Sequence, residues 1–224
     1  MSNKQSTNGA IDNLATDHRF TFPDPANTLM LFVDHQVGPM LFGIRDLDTL
    51  NLMNNTLKLA EGSKVFGIPA ILSTSNPTAI NGPLFKELTD TLPNAPIIDR
   101  TRINAWEDPN FVDAVKATGR RQLIIAGVTS NVCLAFPAIA ASGEGFDVYA
   151  VIDASGATSD HALQASLFRM SQAGVKIADS GMVLAELLRD WASEFGPALG
   201  QLFGDREPNA GLIHQHMLAP HMVA

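Results

Sequence analysis

The sequence predicts a doubly wound α/β domain: a mostly parallel six-stranded sheet with helices on both faces. Three observations carry this expectation. Six short apolar runs recur along the chain, segments of helical period separate most of them, and glycines sit where helices should stop. A strand that is apolar at every position needs cover on both faces, and a parallel sheet between two helix layers supplies it.

The first run, residues 29–33, ends in Asp34-His35-Gln36. A helical pattern over 47–66 follows, is stopped by Gly67-Ile68-Pro69, and leads to a second run at 70–73. The third run, 96–98, is short and ends in Asp99-Arg100-Thr101-Arg102. A helix over 109–118 opens on Pro109 and stops at Gly119. The fourth run, 122–126, leaves through Gly127 into Thr129-Ser130-Asn131, natural cap residues before a helix over 132–144. Gly143 and Gly145 precede the fifth run, 148–152, which ends in the turn Asp153-Ala154-Ser155-Gly156. A helix over 159–173, a stop at Gly174, a sixth run at 175–178 and a helix over 181–194 complete the pattern, and beyond Gly196-Pro197 it turns irregular.

At 224 residues the chain has the length of one compact domain. Residues 1–24 are polar and read as a loose arm, residues 25–196 as the domain, and residues 197–224 as an extension that packs on the domain or on a neighbouring subunit. The arm has neither a basic start before an apolar run nor an Arg-rich amphipathic pattern, so no targeting signal is expected. No run approaches the roughly 18 apolar residues of a membrane span, so the expectation is a protein of the cytoplasm with no membrane partner. A net charge of −8 offers no excess of Lys and Arg to neutralise phosphates, which argues against a nucleic-acid partner. The single cysteine excludes an internal disulfide framework and a Cys-based zinc cluster, leaving a core thiol or a nucleophile. His214, His216 and His221 in the tail have no carboxylates nearby and do not form a metal pattern.

Ligands of open α/β sheets bind at the carboxyl ends of the strands, and three strand ends carry reactive groups. Asp34 directly follows the first run, where it serves either as an acid or as a turn cap. Cys133 follows the fourth. Pro137 lacks a backbone donor and is tolerated only near a first turn, so the helix that holds it starts close to Val132 and sets Cys133 at its entrance. Unpaired N–H groups there favour a thiolate and can hold an oxyanion; a buried structural cysteine is the alternative. Arg100 and Arg102 follow the third run, as cations for the site or as partners of Asp99, Glu107 or Asp108. No glycine-rich phosphate fingerprint follows the first strand, so no dinucleotide is expected. Trp106 sits beside a strand end and reads as a pocket wall or as a packing residue, with the pocket favoured.

The order and spacing of several blocks resemble the isochorismatase-like cysteine hydrolase superfamily, and within it the YcaC-like hydrolases. The resemblance spans residues 27–191. It is carried by Leu31-Phe32-Val33-Asp34-His35-Gln36, Ile103-Asn104-Ala105-Trp106, the stretch 111–119, Gln122-Leu123-Ile124-Ile125-Ala126-Gly127-Val128, Val132-Cys133, Asp153-Ala154-Ser155-Gly156 and Arg169-Met170-Ser171-Gln172-Ala173-Gly174. The superfamily implies strand order 3-2-1-4-5-6, an Asp, Lys and Cys triad, and a non-proline cis peptide before the cysteine loop, here Val128 to Thr129. Asp34 matches the acid and Cys133 the nucleophile. The family pattern Lys-x-x-Tyr-Ser-Ala-Phe falls on Arg100-Thr101-Arg102-Ile103-Asn104-Ala105-Trp106, so Arg100 takes the place of the lysine, with Arg102 as fallback. Arginine keeps its charge and does not readily exchange a proton, which makes its role electrostatic.

The metal-binding Asp-x-His of the superfamily's nicotinamidases has no counterpart in Ser73-Thr74-Ser75-Asn76-Pro77, so neither metal nor cofactor is expected. The resemblance further implies a substrate pocket near Gln36, Phe42, Asn104, Trp106 and Phe136, and a tetrameric or octameric homo-oligomer. The activity implied is hydrolysis of a small carboxamide or related acyl compound through a Cys133 thioester, with small molecules as the partners. A redox or electrophile sensor, or a binding protein on the same fold, is the second possibility.

Overall fold

A computed structural model describes residues 21–207. The strands are β1 (Thr28–Val33), β2 (Ala70–Ser75), β3 (Ile97–Arg100), β4 (Gln122–Gly127), β5 (Asp147–Val151) and β6 (Lys176–Ala178). They form one sheet in the order β3-β2-β1-β4-β5-β6, and every pairing is parallel. The order is the one the resemblance implies, and the six apolar runs are its six strands.

Between strands lie α1 (Val37–Phe42), α2 (Thr49–Val65), α3 (Lys86–Thr91), α4 (Pro109–Ala117), α5 (Ala135–Gly143) and α6 (Asp160–Gln172), and after β6 follow α7 (Ser180–Leu188) and α8 (Gly196–Arg206). Four of these helices start where an acceptor side chain meets the unpaired N–H groups of the first turn. The Asp48 carboxylate accepts from Leu50 and Asn51, Asp108 from Asn110 and Phe111, Ser159 from Ala162, and Asp179 from Met182. Gly119 takes φ 69° after α4, a backbone conformation that costs glycine nothing and other residues a Cβ clash.

Alternation along the strands splits the core in two. Met30, Phe32, Leu72, Ile124 and Tyr149 face one way, toward Leu52 and Leu59 of α2, Leu184 and Leu187 of α7, and Leu199 and Leu202 of α8. Leu29, Leu31, Val33, Ile71, Leu123 and Ile125 face the other way, toward Phe111 and Val115 of α4, Ala138 and Ala141 of α5, and Met170 of α6. All six residues of β1 are buried, as a central strand covered by two layers requires.

Two boundaries differ from the sequence expectation. The stretch after Gly196-Pro197 is not irregular: it forms α8, with Leu199 and Leu202 buried. Asn54 donates to the Arg206 carbonyl at 2.6 Å, Arg206 pairs with both oxygens of Glu61, and Lys58 meets Glu207 at 2.5 Å. Gly196, Gly200 and Gly204 dilute the helical signal of this stretch in sequence. At the other end, the last residues of the expected arm are tied to the sheet. Thr21 donates to Asp147 at 2.8 Å, Lys176 to the Thr21 carbonyl at 2.7 Å, and Gln122 to the Phe22 carbonyl at 3.0 Å. The remainder of the arm, and His214, His216 and His221, lie outside the described residues. Among the described residues, no helix is long and apolar enough to cross a membrane.

Because Leu199 is fully buried against α2 and α7, Leu199→Ala should lower unfolding free energy by about 2–5 kcal/mol, read by urea denaturation. A dispensable tail would leave it unchanged.

Candidate active site

The parallel register brings four strand ends together: Val33 lies opposite Ser73 and Gly127, and Ser75 opposite Arg100. Asp34 is the first residue past β1. Its backbone sits at φ 60°, a left-handed conformation that Asp tolerates better than most residues, and its N–H donates to the Ser73 carbonyl at 3.0 Å. Its carboxylate accepts from the Ser73 hydroxyl at 3.1 Å and forms an ion pair with the Arg100 guanidinium. Both side chains are essentially without solvent contact. The other end of the guanidinium donates to the carbonyls of Arg102 and Ile103. Arg100 therefore faces Asp34, whereas Arg102 is exposed and offers only its carbonyl. Asp99 is occupied by the Thr74 hydroxyl.

Cys133 lies in a π-helical turn, Ser130–Leu134, that links β4 to α5. Pro137 follows in the first turn of α5, where its missing donor costs nothing. Gly127 explains the exit from β4: a Cβ there would lie 2.6 Å from the Cys133 carbonyl oxygen, so only glycine lets the cysteine backbone pack this closely. The Val128–Thr129 peptide is cis, where the family resemblance puts it.

The Cys133 thiol lies beside the Asp34 carboxylate, near enough for each to shift the other's pKa. Burial, followed by the negative charge and hydrogen bond of Asp34, pushes the thiol well above its ordinary range. Arg100 and the Thr129 backbone pull the other way and are outweighed. This runs against the expectation of a thiolate stabilised by the helix entrance: desolvation and the adjacent carboxylate outweigh it and favour the protonated thiol. Burial also raises Asp34, against the opposing pull of Arg100, Cys133 and Ser73.

These groups open onto a cavity of about 230 Å³. This is below the usual range of roughly 300–1,000 Å³ for drug-sized ligands, so its occupant is small. Asp34, Gln36, Val128, Thr129 and Cys133 line it, as the sequence suggests. Gln36 is held at both ends, accepting from the Ser75 N–H at 2.8 Å and donating to the Gly82 carbonyl at 2.5 Å.

Four expected pocket residues are placed elsewhere. Phe42 is exposed and borders a neighbouring cleft with Ile80. Asn104 caps a short 3-10 turn, Ala105–Glu107, by accepting from the Trp106 N–H. Trp106 is buried edge-on against Phe111 and Phe146, with its indole N–H on Glu144. Phe136 packs on the second core beneath Arg169.

In their place stand Pro39, Ser75, Asn81, Ile103 and Val132. Ser75 was findable as the residue that closes β2, whereas Asn81 reads in sequence only as part of an Asn-Gly-Pro turn. Among the described residues, no three His, Cys, Asp or Glu converge as a metal site. A larger cleft of about 480 Å³ lies at the amino-terminal ends of β2 and β3, beside Lys64 and Asp90, and holds no nucleophile.

The family profile described as Isochorismatase domain matches residues 28–181. This chain belongs to the isochorismatase family. It is 44% identical over 187 residues to the probable hydrolase YcaC of Escherichia coli (strain K12), covering 83% of this chain and 89% of the relative. The crystal structure of the E. coli YcaC gene product, described as an octameric hydrolase of unknown specificity, superposes with TM-score 0.85 at 41% identity, covering 92% and 98% of the two chains. YcaC from Pseudomonas aeruginosa, solved with hexane-2,5-diol and covalent acrylamide, superposes equally well, over 88% and 98%. The chain is thus an isochorismatase-like hydrolase.

Asp34 titrates above its unfolded value, so the unfolded chain releases this proton first and stability falls as pH rises through the interval between the two values. Arg100→Met removes the chief opposing influence and widens the interval. The variant should lose about 3–5 kcal/mol against wild type at pH 8 and progressively less toward pH 4, read by urea denaturation at each pH.

Proposed function

We propose that this protein is a cofactor-independent cysteine hydrolase of small carboxamides or related acyl compounds, with Cys133 as nucleophile, Asp34 as general base and acid, and Arg100 as a fixed charge. The observation that supports this most strongly is that the Cys133 thiol and a buried carboxylate, itself ion-paired with Arg100, stand together at the wall of one small cavity. As sulfur attacks the carbonyl carbon, the thiol proton passes to Asp34, so no free thiolate need accumulate and the high resting pKa is no obstacle. Backbone N–H groups of Thr129 and Cys133 receive the oxyanion. Collapse expels the amine, which takes the proton from Asp34 and leaves a thioester. Water, deprotonated by Asp34, then releases the acid and regenerates the thiol. Arg100 keeps its proton throughout and holds Asp34 ionised at the start of each half-reaction.

Asp34 is the one charged side chain among the described residues lining the cavity, which suits a neutral substrate. The covalent acrylamide in the P. aeruginosa relative is itself a small carboxamide. A sensor role calls for a readily ionised thiol, and the upward shift of Cys133 counts against it.

Intact-mass spectrometry with a panel of short neutral amides should show an acyl adduct on wild type and none on Cys133→Ala. Relative to free glutathione, iodoacetamide should label Cys133 at least tenfold faster than anionic iodoacetate. No adduct and no labelling above the free-thiol rate would remove the reading.

We also propose a homo-oligomer of the tetramer or octamer class, as in the octameric E. coli relative. Leu41, Phe42, Ile80 and Ile103 are each more than 60% exposed and give it apolar contact surface. Light scattering on the full chain should report at least four subunits, and a monomer would defeat the assignment.

A further inference from the structure

The turn after β5 contributes nothing to the cavity wall, yet Ala154, Ser155, Gly156 and Ala157 are all buried. Its polar groups point at the segments that hold the site. Strand β5 pairs with β4 only as far as Ile125 opposite Ala150, so the N–H of Gly127 lies past the end of that ladder. The Ser155 hydroxyl takes the missing place: it accepts from Gly127 N–H at 3.1 Å and donates to the Val151 carbonyl at 2.5 Å. One residue on, the Gly156 carbonyl accepts from Ser130 N–H, the first residue of the cysteine turn, at 2.6 Å. The turn is held in place from the far side. His35 bonds the Ala154 carbonyl at 2.9 Å, Arg45 N–H donates to the Ala157 carbonyl at 2.8 Å, and Ala157 N–H donates to Asp46 at 2.6 Å.

We propose that Ser155 is a positioning residue for Cys133, its hydroxyl fixing Gly127 and, with Gly156, the start of the cysteine turn so that the sulfur stays within hydrogen-bond reach of Asp34. The inference rests on the reading of Cys133 as the nucleophile. The transmission is steric. The Gly127 α-carbon packs directly on the Cys133 carbonyl, so a displaced Gly127 carries the cysteine backbone with it. A misplacement of about 1 Å is enough to cost a reaction that depends on an aligned proton acceptor about 10²-fold. A serine suits the position because one hydroxyl donates and accepts together, bridging the end of β5 to the end of β4.

The test is the pH profile of Cys133 alkylation by iodoacetamide, followed by mass spectrometry on the full chain from pH 5.5 to 9. In this reaction the sulfur–carbon bond forms, iodide leaves and the thiol proton passes to Asp34. Wild type should therefore react at a level rate once Asp34 is ionised. Ser155→Ala should react at least tenfold more slowly at pH 7, with a rate that climbs with pH as an isolated thiol's does. Ser155→Gly, read in parallel, should behave alike, and Ser155→Thr, which keeps the hydroxyl, should restore the level profile. Ser166→Ala deletes another buried hydroxyl, one bonded to the Leu163 carbonyl within α6, and should keep the wild-type profile even if its melting temperature falls. A level profile and a rate within twofold of wild type in both Ser155→Ala and Ser155→Gly would overturn the positioning role while leaving the nucleophile reading intact. A wild-type profile that already climbs like a free thiol would overturn that reading, and the positioning role with it.

Discussion

Two full charges, on Asp34 and Arg100, are held together inside the protein although the strands that carry them are not neighbours. β2 runs between β1 and β3, so the pair spans two inter-strand spacings, roughly 10 Å of sheet. Removing such charges from water is expensive, and the pair persists because each end is further bonded: Asp34 by Ser73 and Cys133, Arg100 by the carbonyls of Arg102 and Ile103. The intervening strand is accordingly small and polar where the pair crosses it. Ser73, Thr74 and Ser75 end β2 where Leu72 and Ile71 precede.

From this pair follows the state of the thiol. A cysteine beside an isolated carboxylate in a dry site would be a poor nucleophile, and beside an isolated cation it would rest as a thiolate open to oxidation. Here the carboxylate beside the thiol is itself paired with the cation, and the balance of burial and charge favours the proton on sulfur.

The fold was legible because burial on both faces writes itself into the strands as apolar runs, and four of the helices carry side-chain caps. The grouping of the three candidate residues was legible for a related reason: a parallel sheet presents all its carboxyl ends on one edge, which brings Asp34, Arg100 and Cys133 to the same side of the fold. What sequence proximity to a strand end does not encode is direction. Asn104, Trp106 and Phe136 lie close in sequence to the right strand ends, yet their side chains serve a cap, an aromatic cluster and the core beneath α6. The thiol's ionisation was misread for a similar reason. The helix-entrance argument depends on local backbone alone, whereas desolvation and the carboxylate of Asp34, which lies 99 positions earlier in the chain, act through space. The small helices α1 and α3, six residues each, are too short for a periodic pattern to register.

Strand β3 is four residues long and forms an edge of the sheet, pairing with β2 alone. Asp34 and Cys133, by contrast, follow interior strands paired on both sides. The cation is thus the member of the trio whose backbone can shift or re-register without breaking a second ladder. A basic side chain of different length and shape there has one neighbouring strand to fit against, while any comparable change at Asp34 or Cys133 meets strands on both sides. Diversification of chemistry on this scaffold therefore has a preferred point of entry, at its rim.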